Sequence, residues 1–195
     1  MLCMSSRLCS SAVFALAVSL AGGASFVAAE QTPATQGDDP ALHAFTDALG
    51  KYLALRKGVS AELPPLTVTD KPAEIIRASD ALARGIERSR RDARQGEFFT
   101  ESVAKVLRER AKRVAATGVL DDILTPEADE RPDASAIRVH ARYPVASVLP
   151  TMPPSLLAVL PPLPSGLEYR VVGTTLILRD VEAAMILDFL PNAFR

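Results

Sequence analysis

Four arginines carry the most concentrated chemical potential in this chain. Arg77, Arg84, Arg88 and Arg91 are spaced to share one side of a helix. A guanidinium row of that kind can grip phosphate or carboxylate groups through forked hydrogen bonds. Asp80 and Glu87 interleave on the same side, each four residues before an arginine, the spacing at which helix pairs neutralise one another. Glu101 with Lys105 and Glu109 with Arg113 repeat the device. A solvated, salt-bridged face is therefore the main expectation, and an anion-binding row at Arg77, Arg84, Arg88 and Arg91 is the sharper alternative. No aromatic residue interleaves the arginines, so base stacking on nucleic acid has no support.

Other chemistries find fewer residues. The chain has only two histidines, His43 and His140, far apart and without companions at metal-ligand spacing. His43 reads as a solvent-facing residue of a first helical turn, and His140 as the outward member of an alternating strand. There is no Gly-x-Ser-x-Gly elbow and no glycine-rich phosphate cradle. Asp121-Asp122, and Asp180 with Asp188, are available as acid and base or as a hard-cation site. Neither pair sits in an apolar run that would raise a pKa, so solvated turns and caps are expected there. No catalytic residue, metal site or cofactor is assigned.

The elements that would position these residues begin at Asp39-Pro40, an N-cap carboxylate followed by a proline suited to the first helical position. Leu42, Phe45, Leu49, Tyr52, Val59 and Leu63 then recur at steps of three and four, with Arg56 in the skipped place. That stripe packs on its neighbours by default; an exposed seam would instead pair two copies of the chain into a homodimer, and Arg56 argues for the default. Pro64-Pro65 forces the chain out of the helix. Asp70 is expected to cap a second helix with Ile75, Ile76, Ser79, Leu82, Ala83 and Ile86 inward, stopping near Gln95-Gly96. Thr100 caps a third, carrying Val103, Val106, Leu107, Ala111 and Val114 and closing at Gly118.

Beyond the short apolar piece 119–124 the grammar changes. Six acidic residues between Asp121 and Asp133 oppose Arg131 alone, and Thr125 to Asp133 reads as a linker. Ile137, Val139, Ala141, Tyr143 and Val145 alternate with polar residues, as in a strand or extended arm. Six prolines between Pro150 and Pro164 leave room for one or two helical turns. Leu167–Val172, Thr175–Arg179 and Met185–Leu190 form the clearest β signal, with Gly173-Thr174 as a tight turn and Glu182-Ala183-Ala184 as a second. A helix over Val181–Leu190, capped by Asp180, is the competing reading; the segment is short for an independent helix before Pro191, so a meander is expected.

The first thirty residues suggest the compartment. Arg7, the apolar run Ala12–Ala21, Gly22-Gly23 and the small residues ending Val27-Ala28-Ala29 have the grammar of a secretory signal peptide. A retained anchor is the alternative, because no charge interrupts Leu8 to Ala29. Cleavage after residue 29 leaves 166 of the 195 residues and removes both cysteines, Cys3 and Cys9, so disulfides and thiolate chemistry are excluded from the mature chain. The chain holds 22 Lys and Arg against 23 Asp and Glu, and the leader removes only Arg7, so the mature net charge is −2. That balance gives no general attraction to nucleic acid or an anionic membrane.

Several strings carry a resemblance. Tyr52-Leu53-Ala54-Leu55-Arg56, Leu63-Pro64-Pro65-Leu66-Thr67-Val68, Gly96-Glu97-Phe98-Phe99-Thr100 and Leu160-Pro161-Pro162-Leu163-Pro164 through Leu167-Glu168-Tyr169-Arg170 to Asp188-Phe189-Leu190-Pro191 resemble a family of small exported bacterial proteins. The resemblance implies a periplasmic or secreted setting and no particular activity. Tyr169-Arg170-Val171-Val172-Gly173, Leu176-Ile177-Leu178 and Met185-Ile186-Leu187-Asp188 are similar to the C-terminal hairpin of periplasmic nickel/cobalt homeostasis proteins of the RcnB type, with Ala184 where those proteins usually place glycine. No metal ligand carries over.

The expected protein is α+β. A signal peptide (1–29) and flexible leader (30–38) precede a three-helix lobe (39–124), an acidic linker (125–136), and a proline-rich segment with a small antiparallel meander (137–195). Its expected role is that of an exported accessory or interaction protein without catalysis, holding an envelope protein or other envelope component. An envelope hydrolase using carboxylates, or a weak periplasmic metal or anion binder, are the alternatives.

Overall fold

A computed structural model of the chain describes residues 39–65, 69–118, 137–143 and 152–194. The leader, the apolar piece 119–124, the acidic linker 125–136 and the pair Asp121-Asp122 lie outside the described residues. The architecture is α+β: helices over residues 40–115 precede a three-stranded antiparallel sheet at the C-terminal end.

Helix α1 spans Pro40–Ala61, and the Asp39 side chain accepts a hydrogen bond from the Ala41 amide at 2.9 Å. Leu42, Phe45, Leu49 and Tyr52 are its buried stripe. Helix α3 spans Glu101–Ala115, with Thr100 Oγ1 accepting from Val103 N at 3.4 Å and Val103, Ala104, Leu107, Ala111 and Val114 buried. Its cap is Ala116, and Gly118 follows at a φ of +76°. Helix α4, Pro154–Leu157, is a single turn that buries Leu156.

Helix α2, Pro72–Ser89, departs from expectation in three ways. Its cap is Lys71, which makes no side-chain capping bond, rather than Asp70. It stops at Ser89 instead of near Gln95-Gly96, because Arg90 folds inward and the amides of the following loop bond to the sheet. Only Leu82, Ala83, Gly85 and Ile86, in its second half, are buried, whereas Ile75 and Ile76 are 48% and 57% exposed. Helix α1 ends at Ala61, and among the described residues Ile75 and Ile76 face a groove that its end and Pro64-Pro65 border. Where the two helices do meet they are close: a Cβ on Gly85 would lie 2.3 Å from Val59 Cγ1.

Strands β1 (Leu167–Val172), β2 (Thr175–Asp180) and β3 (Met185–Leu190) run as a meander in that order. Gly173 takes a φ of +54° in the first turn, and Ala184 takes +46° in the second, so the β2–β3 turn closes without glycine. Val181–Leu190 is thus turn and strand, not helix. Leu178 pairs with Asp188 but Arg179 pairs with Ile186, so Leu187 is an extra residue, a β-bulge.

The segment 137–143 lies along the outer edge of β3 as an arm. His140 N donates to Ile186 O, Ile186 N to Ala141 O and Tyr143 N to Ala184 O. It is not a regular strand: only Arg142 forms a bridge, with Met185, and His140 sits in a turn at a φ of +66°, half-buried instead of pointing outward. Val145 lies outside the described residues. One sheet face shares a core with the helices, through Tyr169, Leu176, Leu178 and Leu187; the other packs Val172, Ile177 and Ile186 beneath Tyr143.

Candidate binding groove

Two carboxylates lock the helices to the sheet, and both are fully buried. Regular alternation along β3 would turn Asp188 away from the core face that Met185 and Leu187 share. The bulge at Leu187 shifts the parity and turns Asp188 inward. There Oδ1 accepts from Gly96 N and Phe189 N, and Oδ2 from Phe98 N and Phe99 N, each at 2.8 Å. Burial raises its pKa above the ordinary carboxylate value, while the bonds from Phe99, Gly96, Phe98 and Phe189 pull the other way. Asp180, at the end of β2, accepts from Tyr52 Oη at 2.7 Å and Ala183 N at 2.8 Å, and pairs with Arg56 Nε at 2.8 Å. Burial, then the Asp180 charge, pushes the Tyr52 hydroxyl pKa up.

The expectation of solvated turns at Asp180 and Asp188 is overturned. Their acceptors are engaged by protein donors and sealed from water, so neither can take or give a proton to a substrate. What they do is mechanical: Asp188 holds the loop 96–99 against β3, and Asp180 holds α1 against the β2–β3 turn. Arg90 adds to this joint, its guanidinium carbon 5.3 Å from the Tyr52 ring centroid and 5.0 Å from that of Phe98, with Nη2 3.0 Å from Glu97.

The turn held by Asp180 forms one wall of a groove of about 690 Å³. Arg56 reinforces that wall by pairing with Glu182, and Arg142 does so by bonding both Ala183 O and Asp80 of α2. The end of α1, with Leu63, Pro64 and Pro65, makes the second wall, and the first half of α2 makes the third. Leu63, Ala78, Ala81 and Leu82 lie buried or half-buried in it, while Ile75, Ile76 and Val181 are 48%, 57% and 44% exposed. Adjacent apolar side chains left in water on a small protein mark a surface suited to contact. A larger trough of about 830 Å³ runs along α3, but it is lined by Thr100, Glu101, Ser102, Lys105, Arg108, Glu109 and Lys112, with no aliphatic or aromatic residue among them.

The four arginines are all exposed. Arg77 lies on the groove, and Arg88 and Arg91 line a separate depression of about 450 Å³ beside Asp92 and Glu97. Arg84 borders neither. Among the described residues, ion pairs join neither Asp80 to Arg84 nor Glu87 to Arg91, and the Glu101–Lys105 and Glu109–Arg113 pairs are likewise not formed. Asp80 is taken by Arg142, from 62 residues away. His43 is exposed on α1. The groove residues that sequence reasoning missed are Ile75, Ile76, Val181 and Arg142. One signal for the first two was present: adjacent isoleucines widen the apolar stripe beyond what Leu82 and Ile86 need.

Among the described residues no group of three or more His, Cys, Asp or Glu stands ready to hold a metal ion, and no helix is long and apolar enough to cross a membrane. Compared with known protein families, curated proteins and solved structures, the chain matches none.

Proposed function

We propose that this chain is an exported, non-catalytic binding protein that holds an envelope protein or other envelope component in the groove between α1, α2 and the β2–β3 turn. The observation that carries the reading is the exposure of Ile75, Ile76 and Val181 around an apolar floor, beside a turn that the buried Asp180 and the Arg142–Asp80 pair hold in place. Export rests on the leader: Arg7, the apolar run and the small residues before Glu30. The resemblance to small exported proteins and to the RcnB-type hairpin agrees with that setting and brings no metal ligand with it. The carboxylate hydrolase loses one of its two candidate pairs, because Asp180 and Asp188 are buried; the other, Asp121-Asp122, lies outside the described residues. The arginine-row anion binder has less support, because Arg77 borders the groove while Arg88 and Arg91 line a different depression.

A photo-crosslinking amino acid at position 76, in the chain expressed in its own cells, tests this. A discrete adduct in the envelope fraction is expected from position 76 and none from position 84. Adducts from 84 alone, or a full-length chain recovered in the cytosol, would defeat the proposal.

A further inference from the structure

We infer that the occupant of the groove is a peptide segment of a partner protein in which apolar side chains flank a carboxylate, with Arg77 as the carboxylate's receptor. The inference rests on the binding role just proposed and adds the chemistry of what is bound.

It follows from the charges around the groove. Glu74 is held by Lys71 at 3.2 Å, Glu182 by Arg56, and Arg142 by Asp80. Arg77 is the groove's remaining charged side chain, and among the described residues it has no ion pair. A guanidinium on the border of an apolar groove gains most from a planar, singly charged oxygen pair that it can meet with two parallel N–H bonds. Phosphate recognition normally draws on a cluster of arginines, and Arg88 and Arg91 line a different depression.

The apolar part of the occupant is set by the walls. Ile75, Ile76 and Val181 are each about half exposed, so they stand up from the surface and can be covered only from above. A fatty acid or similar amphiphile needs a site that encloses most of its surface, which a groove with half-exposed walls does not provide. Side chains of a polypeptide, presented side by side from a backbone that stays in solvent, can cover such walls and bring a carboxylate to Arg77 at the same time. Ile75, Ile76, Arg77 and Val181 carry no part of the fold's core, so they are free to be read by a partner.

The test is selection from a displayed library of random peptides on the full chain, run in parallel on the Ile76→Asp and Arg77→Glu variants, with circular dichroism confirming that both variants are folded. The expected outcome is enrichment of peptides that combine apolar residues with Asp or Glu. Ile76→Asp should lower their recovery about tenfold or more, and Arg77→Glu should replace the selected acid by Lys or Arg. Peptides that survive both substitutions unchanged would overturn this assignment while leaving a binding role elsewhere on the surface. Peptides that lose binding on Ile76→Asp but keep their acid on Arg77→Glu would overturn the role of Arg77. Absence of any enrichment on the unaltered chain would count against the binding role itself, and with it this inference.

Discussion

Replacing Asp188 by asparagine is the most informative single perturbation of this fold, because it changes almost no volume and removes one acceptor oxygen. The carboxylate accepts four amide bonds, two on each oxygen, all at 2.8 Å. An asparagine in the same pose offers one oxygen and one NH2, so in either orientation two N–H groups face a donor instead of an acceptor. Each lost bond to a charged group is worth about 1.5–3 kcal/mol. Burying a neutral amide in place of a charge offsets part of this, leaving a cost of about 2–5 kcal/mol. For a domain of this size each kcal/mol shifts Tm by about 2–4 °C, so a fall of about 4–20 °C is expected. Urea unfolding followed by circular dichroism measures it, with the exposed Asp92→Asn as a control expected to stay within about 0.5 kcal/mol. A loss below about 1 kcal/mol for Asp188→Asn would refute the view that this side chain holds the loop 96–99 to the sheet.

The other expectations concern the same joint and the helices that frame it. Tyr52→Phe removes the 2.7 Å bond to Asp180 and should cost about 1.5–3 kcal/mol in the same urea assay. Gly50→Ala has open space around it and should stabilise by about 0.5–1 kcal/mol, whereas Gly85→Ala, whose Cβ would meet Val59 Cγ1 at 2.3 Å, should destabilise by about 1–3 kcal/mol. His140 has its pKa lowered from 6.5 by burial and by Arg90, against the opposing pull of Glu87 and Glu97. As pH falls below 6.5 the unfolded chain therefore takes up a proton before the folded one does, and stability drops until the folded value is passed. His140→Asn, which tolerates the positive φ at that position, should flatten this part of the stability–pH curve; an unchanged slope would show that His140 is not its source.

Much of the fold was legible because its signals are local. The Asp39 and Thr100 caps, the stripe from Leu42 to Tyr52, and the Gly173-Thr174 turn each act within a few residues of themselves. What escaped depends on distance or on parity. Asp180 meets Tyr52 across 128 positions, so nothing near it in the sequence announces a buried anion. Arg56 interrupts an apolar stripe for the same reason: its partners, Asp180 and Glu182, arrive from the sheet. Asp188 was hidden by the bulge at Leu187, which a period of two cannot foresee. The groove escaped because periodicity says which face of α2 is apolar but not how far along the helix a neighbour extends to cover it. The arginines could be seen, but not that Arg77 borders the groove while Arg88 and Arg91 line a depression beside Asp92 and Glu97.

Binding in the groove walled by α1, α2 and the β2–β3 turn can be read residue by residue. The measurement is titration of a selected peptide into the isotopically labelled chain, followed by amide chemical shifts. Shifts are expected at Ile75, Ile76, Arg77, Arg142 and Val181, with Arg88, Arg91 and the α3 trough unmoved. Shifts centred on Arg88, Arg91 and Glu97, or along Lys105 and Lys112, would contradict it.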